Sequence, residues 1–176
     1  MEPLPETPEQ PIVTPSPILT ESKVFEYREK LKLEQRLFPG IAGGAGAAII
    51  GAILWAVITV VTNYQIGYMA VGVGFLVGIS VRYFGKGIDP VFGIIGASLA
   101  LIGCLLGNVL TMLALGAQAE NISFIDVLLY ANYSLIPDAM METFSPMDVL
   151  FYGIAIYEGY KFSFRVITDE EVLQNS

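Results

Sequence analysis

Residues 41–81 read IAGGAGAAIIGAILWAVITVVTNYQIGYMAVGVGFLVGISV and contain no charged side chain. The tripeptide Asn63, Tyr64 and Gln65 divides this stretch into two apolar runs, at 41–62 and at about 66–82. A helix rises 1.5 Å per residue, so the first run spans about 33 Å and covers a hydrocarbon core of about 30 Å. We therefore expect two transmembrane helices, which so short a loop forces into an antiparallel hairpin.

Two more apolar runs follow the hairpin. Residues 91–115 are uncharged and predict a third span. Ser145, Pro146 and Asp148 form a helix start signal for a fourth span at about 146–164. This last run is short and charged, so a re-entrant or interfacial helix is the alternative. The predicted fold class is an all-α polytopic membrane bundle of four transmembrane helices.

The predicted domain organisation adds peripheral segments to a membrane helical domain at 39–165. Residues 1–22 are rich in proline and glutamate and predict a disordered tail, and residues 166–176 form an acidic C-terminal tail. Residues 23–38 alternate acids and bases and predict a juxtamembrane amphipathic helix, which lies on the membrane surface or is merely solvated.

The connection between the third and fourth spans predicts one more short amphipathic helix, at about 123–135, ended by Pro137. The acids around it have no basic residue near them in the sequence: Glu120, Asp126, Asp138, Glu142 and Asp148. Paired carboxylates can bind metal, but their spacing does not resemble a calcium loop, so we expect a solvated acidic rim and no metal site.

The basic residues predict the orientation. All nine lysines and arginines fall before the first span, between the second and third, or at the end of the fourth. Under the positive-inside rule these segments face the cytoplasm, which places both termini there. Three spans would leave Lys161 and Arg165 on the outer side, whereas four spans place every cation inside.

Two glycine pairs have the spacing that lets helices approach closely: Gly74 with Gly78, and Gly103 with Gly107. We interpret them as packing residues, either within one chain or at the interface of a homo-oligomer. A bundle packed in this way leaves little room for a pore.

Glu158 is expected in the inner third of the membrane, where an unpaired carboxylate is costly. Lys161, one turn further along, and Arg82, at the end of the second span, are its expected partners in an intramembrane ion pair. The alternative is a lipid-headgroup or proton site.

The remaining residues argue against catalysis, cofactors and nucleic acid. The chain has no histidine, and Ser98 and Cys104 lie in an apolar run without a neighbouring base. No glycine cluster has the lysine and serine of a phosphate loop, so we expect no nucleotide. The net charge of −8 comes mainly from the tails and disfavours nucleic acid.

The hairpin at 51–82, with its YQIGYMAVGVGFLVG core at 64–78, and the stretch at 145–161 resemble a family of small, uncharacterised bacterial multi-pass membrane proteins. The resemblance covers roughly residues 34–165. It implies the bacterial inner membrane and no particular activity.

Taken together, these features predict a non-catalytic membrane scaffold or accessory subunit of a membrane complex, with the lipid bilayer and other membrane subunits, or a second copy, as partners. The alternative is a small homo-oligomeric channel or transporter. Its pore would need polar residues, and the few candidates lie near helix ends: Asn63, Gln65, Asn108 and Thr111.

Overall fold

The structure is a computed structural model, and it describes residues 21–64, 67–143 and 145–174. Within these ranges every regular element is helical: α1 (Glu21–Glu34), α2 (Leu37–Thr62), α3 (Tyr68–Gly85), α4 (Pro90–Glu120), α5 (Phe124–Tyr130), a 3₁₀ turn (Tyr133–Leu135), α6 (Ile136–Thr143), α7 (Pro146–Phe162) and α8 (Asp169–Gln174). Of the predicted disordered tail at 1–22, residues 1–20 lie outside the described residues. The all-α prediction is confirmed for the described part.

Three of these helices, α2, α3 and α4, are long and apolar enough to cross a membrane. By length and composition, three of the predicted spans are therefore candidate membrane-spanning helices, which is compatible with a membrane protein. The fourth, α7, has 17 residues, which corresponds to about 25 Å, and it carries Glu158 and Lys161. Length and composition alone therefore do not make α7 a fourth span.

The boundary between the juxtamembrane helix and the first span differs from the prediction. The predicted helix at 23–38 ends at Glu34, and α2 already begins at Leu37. Pro39 explains the break, because its ring would collide with the carbonyl of residue 35 in a continuous helix, whereas a proline is tolerated in the first turn. The backbone of Arg36 is accordingly extended, with φ −125° and ψ 94°.

The segment between the long helices α4 and α7 also differs. In place of one helix at 123–135, it contains α5, the 3₁₀ turn and α6. Pro137 does not end a helix but lies in the first turn of α6, where its missing N–H is not needed. We call residues 122–143 the short-helix segment.

The four longest helices that follow α1 pack as a bundle within residues 30–166, which form one compact unit. Helix α2 packs on α3 and α4, and α7 packs on the other side of the same two helices. The core between them consists mainly of small and branched side chains, with three aromatic residues among them: Ala47, Ala48, Trp55, Ala70, Val73, Val77, Val81, Phe92, Ala100, Cys104, Tyr152 and Ala155.

Over the described residues, a second unit comprises residues 21–29 and 167–174. Its described part holds the first two thirds of α1 and the short helix α8, which lies inside the predicted acidic tail. The Thr168 hydroxyl accepts a hydrogen bond from the backbone N–H of Glu171 (3.4 Å) at the start of α8. Such a contact satisfies one of the free N–H groups of a helix start.

Candidate functional site

The interface between α3 and α7 is built on the first of the two glycine pairs. A Cβ atom on Gly74 would lie 2.5 Å from the carbonyl oxygen of Ala155, and one on Gly78 would lie 2.8 Å from Cβ of Phe162. The two backbones approach so closely that no side chain fits at Gly74.

The second glycine pair lies on α4 and faces α2, and Gly103 also faces Val73 of α3. A Cβ atom on Gly103 would meet Val73 at 2.8 Å and Ala48 at 3.2 Å, and one on Gly107 would meet the ring of Trp55 at 3.1 Å. Gly103 and Gly107 thus make room for α2 and for its tryptophan. All four predicted packing glycines contact other helices of the same chain.

A third close approach was not identified from the sequence. A Cβ atom on Gly96 of α4 would lie 2.3 Å from the carbonyl oxygen of Gly159 on α7, and one on Gly159 would lie 2.7 Å from the carbonyl oxygen of Gly96. The signal was available, because Gly96 precedes Ala100 by four residues and Gly159 precedes Ser163 by four. The small-xxx-small pattern includes alanine and serine as well as glycine.

One end of the bundle is tied together by the side chain of Gln35. Its Oε1 accepts from the backbone N–H groups of Ile88 (3.1 Å) and Asp89 (3.2 Å), and its Nε2 donates to Oδ2 of Asp89 (2.8 Å). The side chain of a residue between α1 and α2 thereby hydrogen-bonds to backbone and side-chain groups of the loop between α3 and α4. No sequence pattern pointed to Gln35, because its partners lie more than fifty residues away.

Backbone bonds join more segments at the same end. The N–H of Arg36 donates to the carbonyl of Gly85 (2.9 Å), and the N–H of Arg165 donates to the carbonyl of Gly87 (2.8 Å). The guanidinium of Arg165 also lies 3.5 Å from a carboxylate oxygen of Glu34. The beginning of α2, the end of α3, the beginning of α4 and the chain after α7 therefore meet here, and we call this the basic end.

The predicted ion-pair residues all lie towards the basic end. Arg82 is in the last turn of α3, and Glu158 and Lys161 are in the last two turns of α7. The ammonium of Lys161 lies 5.5 Å from the ring centroid of Tyr157 and 5.9 Å from that of Phe162, within the range of cation–π attraction. Pairing of Glu158 with Lys161 or Arg82 stays a prediction.

The short-helix segment at the opposite end has a different character. None of its described residues is buried, and many of its large apolar side chains are exposed: Ile122, Phe124, Ile125, Leu128, Leu129, Tyr130, Tyr133, Leu135 and Met141. The side chains of Ser123 and Asn132 cap short helices within the segment itself. Helix α5 packs on α4, and α6 packs on the 3₁₀ turn.

Few groups in the bundle could do acid–base or metal chemistry. Among the described residues, no three of the types His, Cys, Asp and Glu cluster where they could hold a metal ion. Cys104 is buried with its sulfur 3.9 Å from the carbonyl oxygen of Ala70. The Asn108 amide donates to the hydroxyl of Tyr152, which joins α4 to α7. These contacts are those of packing residues.

The fold and these interfaces define the class: a small all-helical protein, over its described residues, with membrane-type helices that are packed through glycines. Comparisons of the chain with protein-family models, with curated proteins and with solved structures find no match.

Proposed function

We propose that the chain is a four-span scaffold or accessory subunit in the bacterial inner membrane, with both termini in the cytoplasm. It recruits another membrane protein through the short-helix segment.

The crossing of α7 is supported by its register against α3. The two helices run in the same direction, because Phe151 lies against Gly67 just before α3 begins, and Phe162 lies against Gly78 in the second half of α3. The chain after α7 then reaches Gly87, just beyond the end of α3. A helix that accompanies a spanning helix over this length crosses the same part of the bilayer.

The orientation is supported by the charges at the two ends. The basic end has Arg36, Arg82, Lys86, Lys161 and Arg165, whereas the short-helix segment has carboxylates and no cation. Cytoplasmic segments of membrane proteins carry the excess of lysine and arginine. The basic end therefore faces the cytoplasm in our proposal.

A scaffold role is supported by one observation above all: the short-helix segment exposes large apolar side chains although a well-packed bundle lies next to it. Leu129 is 65% exposed and Ile125 is 64% exposed. Apolar surface of this kind at the edge of a membrane domain is suited to a protein or lipid contact. Short helices with few tertiary contacts also adapt readily to a partner.

Site-specific photocrosslinking in cells tests this proposal. Leu129 in the short-helix segment and Ile94 on the outer face of α4 have similar exposure, 65% and 60%, so they form a matched pair. A photoreactive amino acid at Leu129 should give a discrete crosslinked protein, whereas the same probe at Ile94 should crosslink lipid alone.

Three results would contradict the scaffold role in different ways. Lipid adducts alone at Leu129 would make the segment an interfacial anchor. A crosslink only to a second copy of this chain would favour the homo-oligomeric channel, provided that the purified oligomer also passes ions in liposomes. Protein crosslinks of equal yield at both positions would remove the special role of the short-helix segment.

A further inference from the structure

Two polar atoms in the core of the bundle lack a hydrogen-bond partner. Trp55 and Thr59 are 1% and 2% exposed, and they lie one turn apart on α2. Neither the indole Nε1 of Trp55 nor the Oγ1 of Thr59 makes a hydrogen bond within the described residues. A buried donor without an acceptor is costly, most of all in a membrane interior, where water is scarce.

Other threonines in these helices show which hydrogen-bond partner a helical hydroxyl normally has. Thr111 donates to the carbonyl of Gly107 at 2.8 Å, and Thr62 donates to that of Ile58 at 2.7 Å. Both bonds go back one turn within the same helix, which is the usual arrangement for a helical threonine. Thr59 makes no such bond although it is buried, so its hydroxyl remains available to a group outside α2.

The helix register places one further polar group, the hydroxyl of Thr111, at this level. Trp55 packs on Gly107, and α2 and α4 run in the same direction, because Gly44 lies against Leu99 and Gly103 lies against Ala48. One turn beyond the Trp55 and Gly107 contact, each helix carries a buried threonine, Thr59 and Thr111. The hydroxyl of Thr111 donates to Gly107, but its oxygen can still accept a hydrogen bond.

We propose that Trp55 and Thr59 form a binding site for one internal water molecule between α2 and α4. An indole N–H only donates, so the guest must present an acceptor oxygen. Both atoms are fully enclosed, which excludes a lipid headgroup or a larger solute. Water accepts from Trp55, donates to or accepts from Thr59, and has the Thr111 oxygen as a third partner at the same level, within the two to four that a buried water requires.

The site extends beyond the scaffold proposal and does not depend on it. A bound water at this position would link α2 to α4 in the half of the bundle far from the basic end. The water would link helices there through its hydrogen bonds, as Gln35 links segments at the basic end through its side chain.

The single tryptophan of the chain makes the site directly measurable. Protein with ¹⁵N-labelled indole, reconstituted in lipid nanodiscs, gives one indole N–H signal from Trp55. A magnetisation-transfer experiment that selects water should show a cross-peak from a long-lived water to this proton. Thr59→Val, which keeps the shape and removes the hydroxyl, should abolish the cross-peak, while Thr59→Ser should retain it.

Thr62→Val is the matched control, because the Thr62 hydroxyl lies one turn further along α2, is exposed and is already bonded to Ile58. It should leave the cross-peak unchanged. Absence of the cross-peak in the unchanged protein, or its persistence in a folded Thr59→Val variant, would overturn the proposal. The far-ultraviolet circular dichroism of each variant establishes that it is folded.

Discussion

The segments that connect the helices have their backbone groups hydrogen-bonded differently at the two ends of the bundle. At the basic end, Gln35, Arg36 and Arg165 bond to backbone groups of distant segments, so the loops there are fixed by tertiary contacts. At the opposite end, side chains of the short-helix segment accept hydrogen bonds from backbone N–H groups of the same segment, and its apolar side chains are exposed. The comparison suggests that the basic end holds the bundle together and that the short-helix segment is available for contacts.

The largest loss of stability is expected where the backbones of α7 and α4 touch, in the half of α7 nearer the basic end. Gly159→Ala would place a Cβ 2.7 Å from the backbone oxygen of Gly96, and we expect a loss of about 3 kcal/mol in the free energy of unfolding, since overpacking against backbone cannot relax cheaply. Unfolding in mixed detergent micelles, followed by circular dichroism, measures this loss.

The same helix supplies the control. A Cβ atom added to Gly153 of α7 would meet no other atom within 4 Å, so Gly153→Ala should be neutral or should stabilise the protein by up to about 1 kcal/mol, as expected from helix propensity. Equal losses for the two variants would show that α7 does not pack on α4 as described.

The next largest loss in the free energy of unfolding is expected at a polar contact of the basic end, and it can be compared with a polar contact of the short-helix segment. Gln35→Ala leaves the N–H groups of Ile88 and Asp89 without their acceptor, and we expect a loss of about 2 kcal/mol, because the contact is partly buried. Asn132→Ala removes an exposed cap in the short-helix segment, with an expected loss below about 1 kcal/mol. The same unfolding assay compares them, and the reverse order would contradict the proposed division between the two ends.

The smallest effect is expected at the ion pair of the basic end. The side chains of Arg165 and Glu34 are 27% and 55% exposed at a distance of 3.5 Å, so Glu34→Gln should cost at most about 1 kcal/mol. The difference should shrink as salt is added, because exposed charges are screened. Unfolding curves at low and high ionic strength measure this, and a large loss that does not depend on salt would mean that Glu34 has a structural role beyond the pair.

The sequence predicted the elements that depend on local composition. The uncharged runs became α2, α3 and α4, and α7 begins at the predicted start signal, where Ser145 and Asp148 form a capping box. The helix boundaries at Pro39 and Pro137 were wrong, since the same residue type can end a helix or sit in its first turn. Composition alone does not decide between these two roles.

The contacts between helices were predicted less completely. Glycines four apart on one helix are visible in a sequence, so Gly74 and Gly78 could be identified as packing residues. The small-residue spacing of Gly96 and Gly159 was visible as well, but not that these two glycines face each other. That contact and the bonds of Gln35 join residues that are far apart in the chain, and only the fold brings them together.

Labelling of single cysteines tests the four-span topology most directly. In a Cys104→Ala background, which removes the only native thiol, cysteines are placed at Lys86, Lys161 and Glu142, all of which are exposed. A maleimide that cannot cross the inner membrane should label the Glu142→Cys variant in intact spheroplasts, and the other two only after permeabilisation. Labelling of Lys161→Cys from the same side as Glu142→Cys would mean that α7 does not cross the membrane.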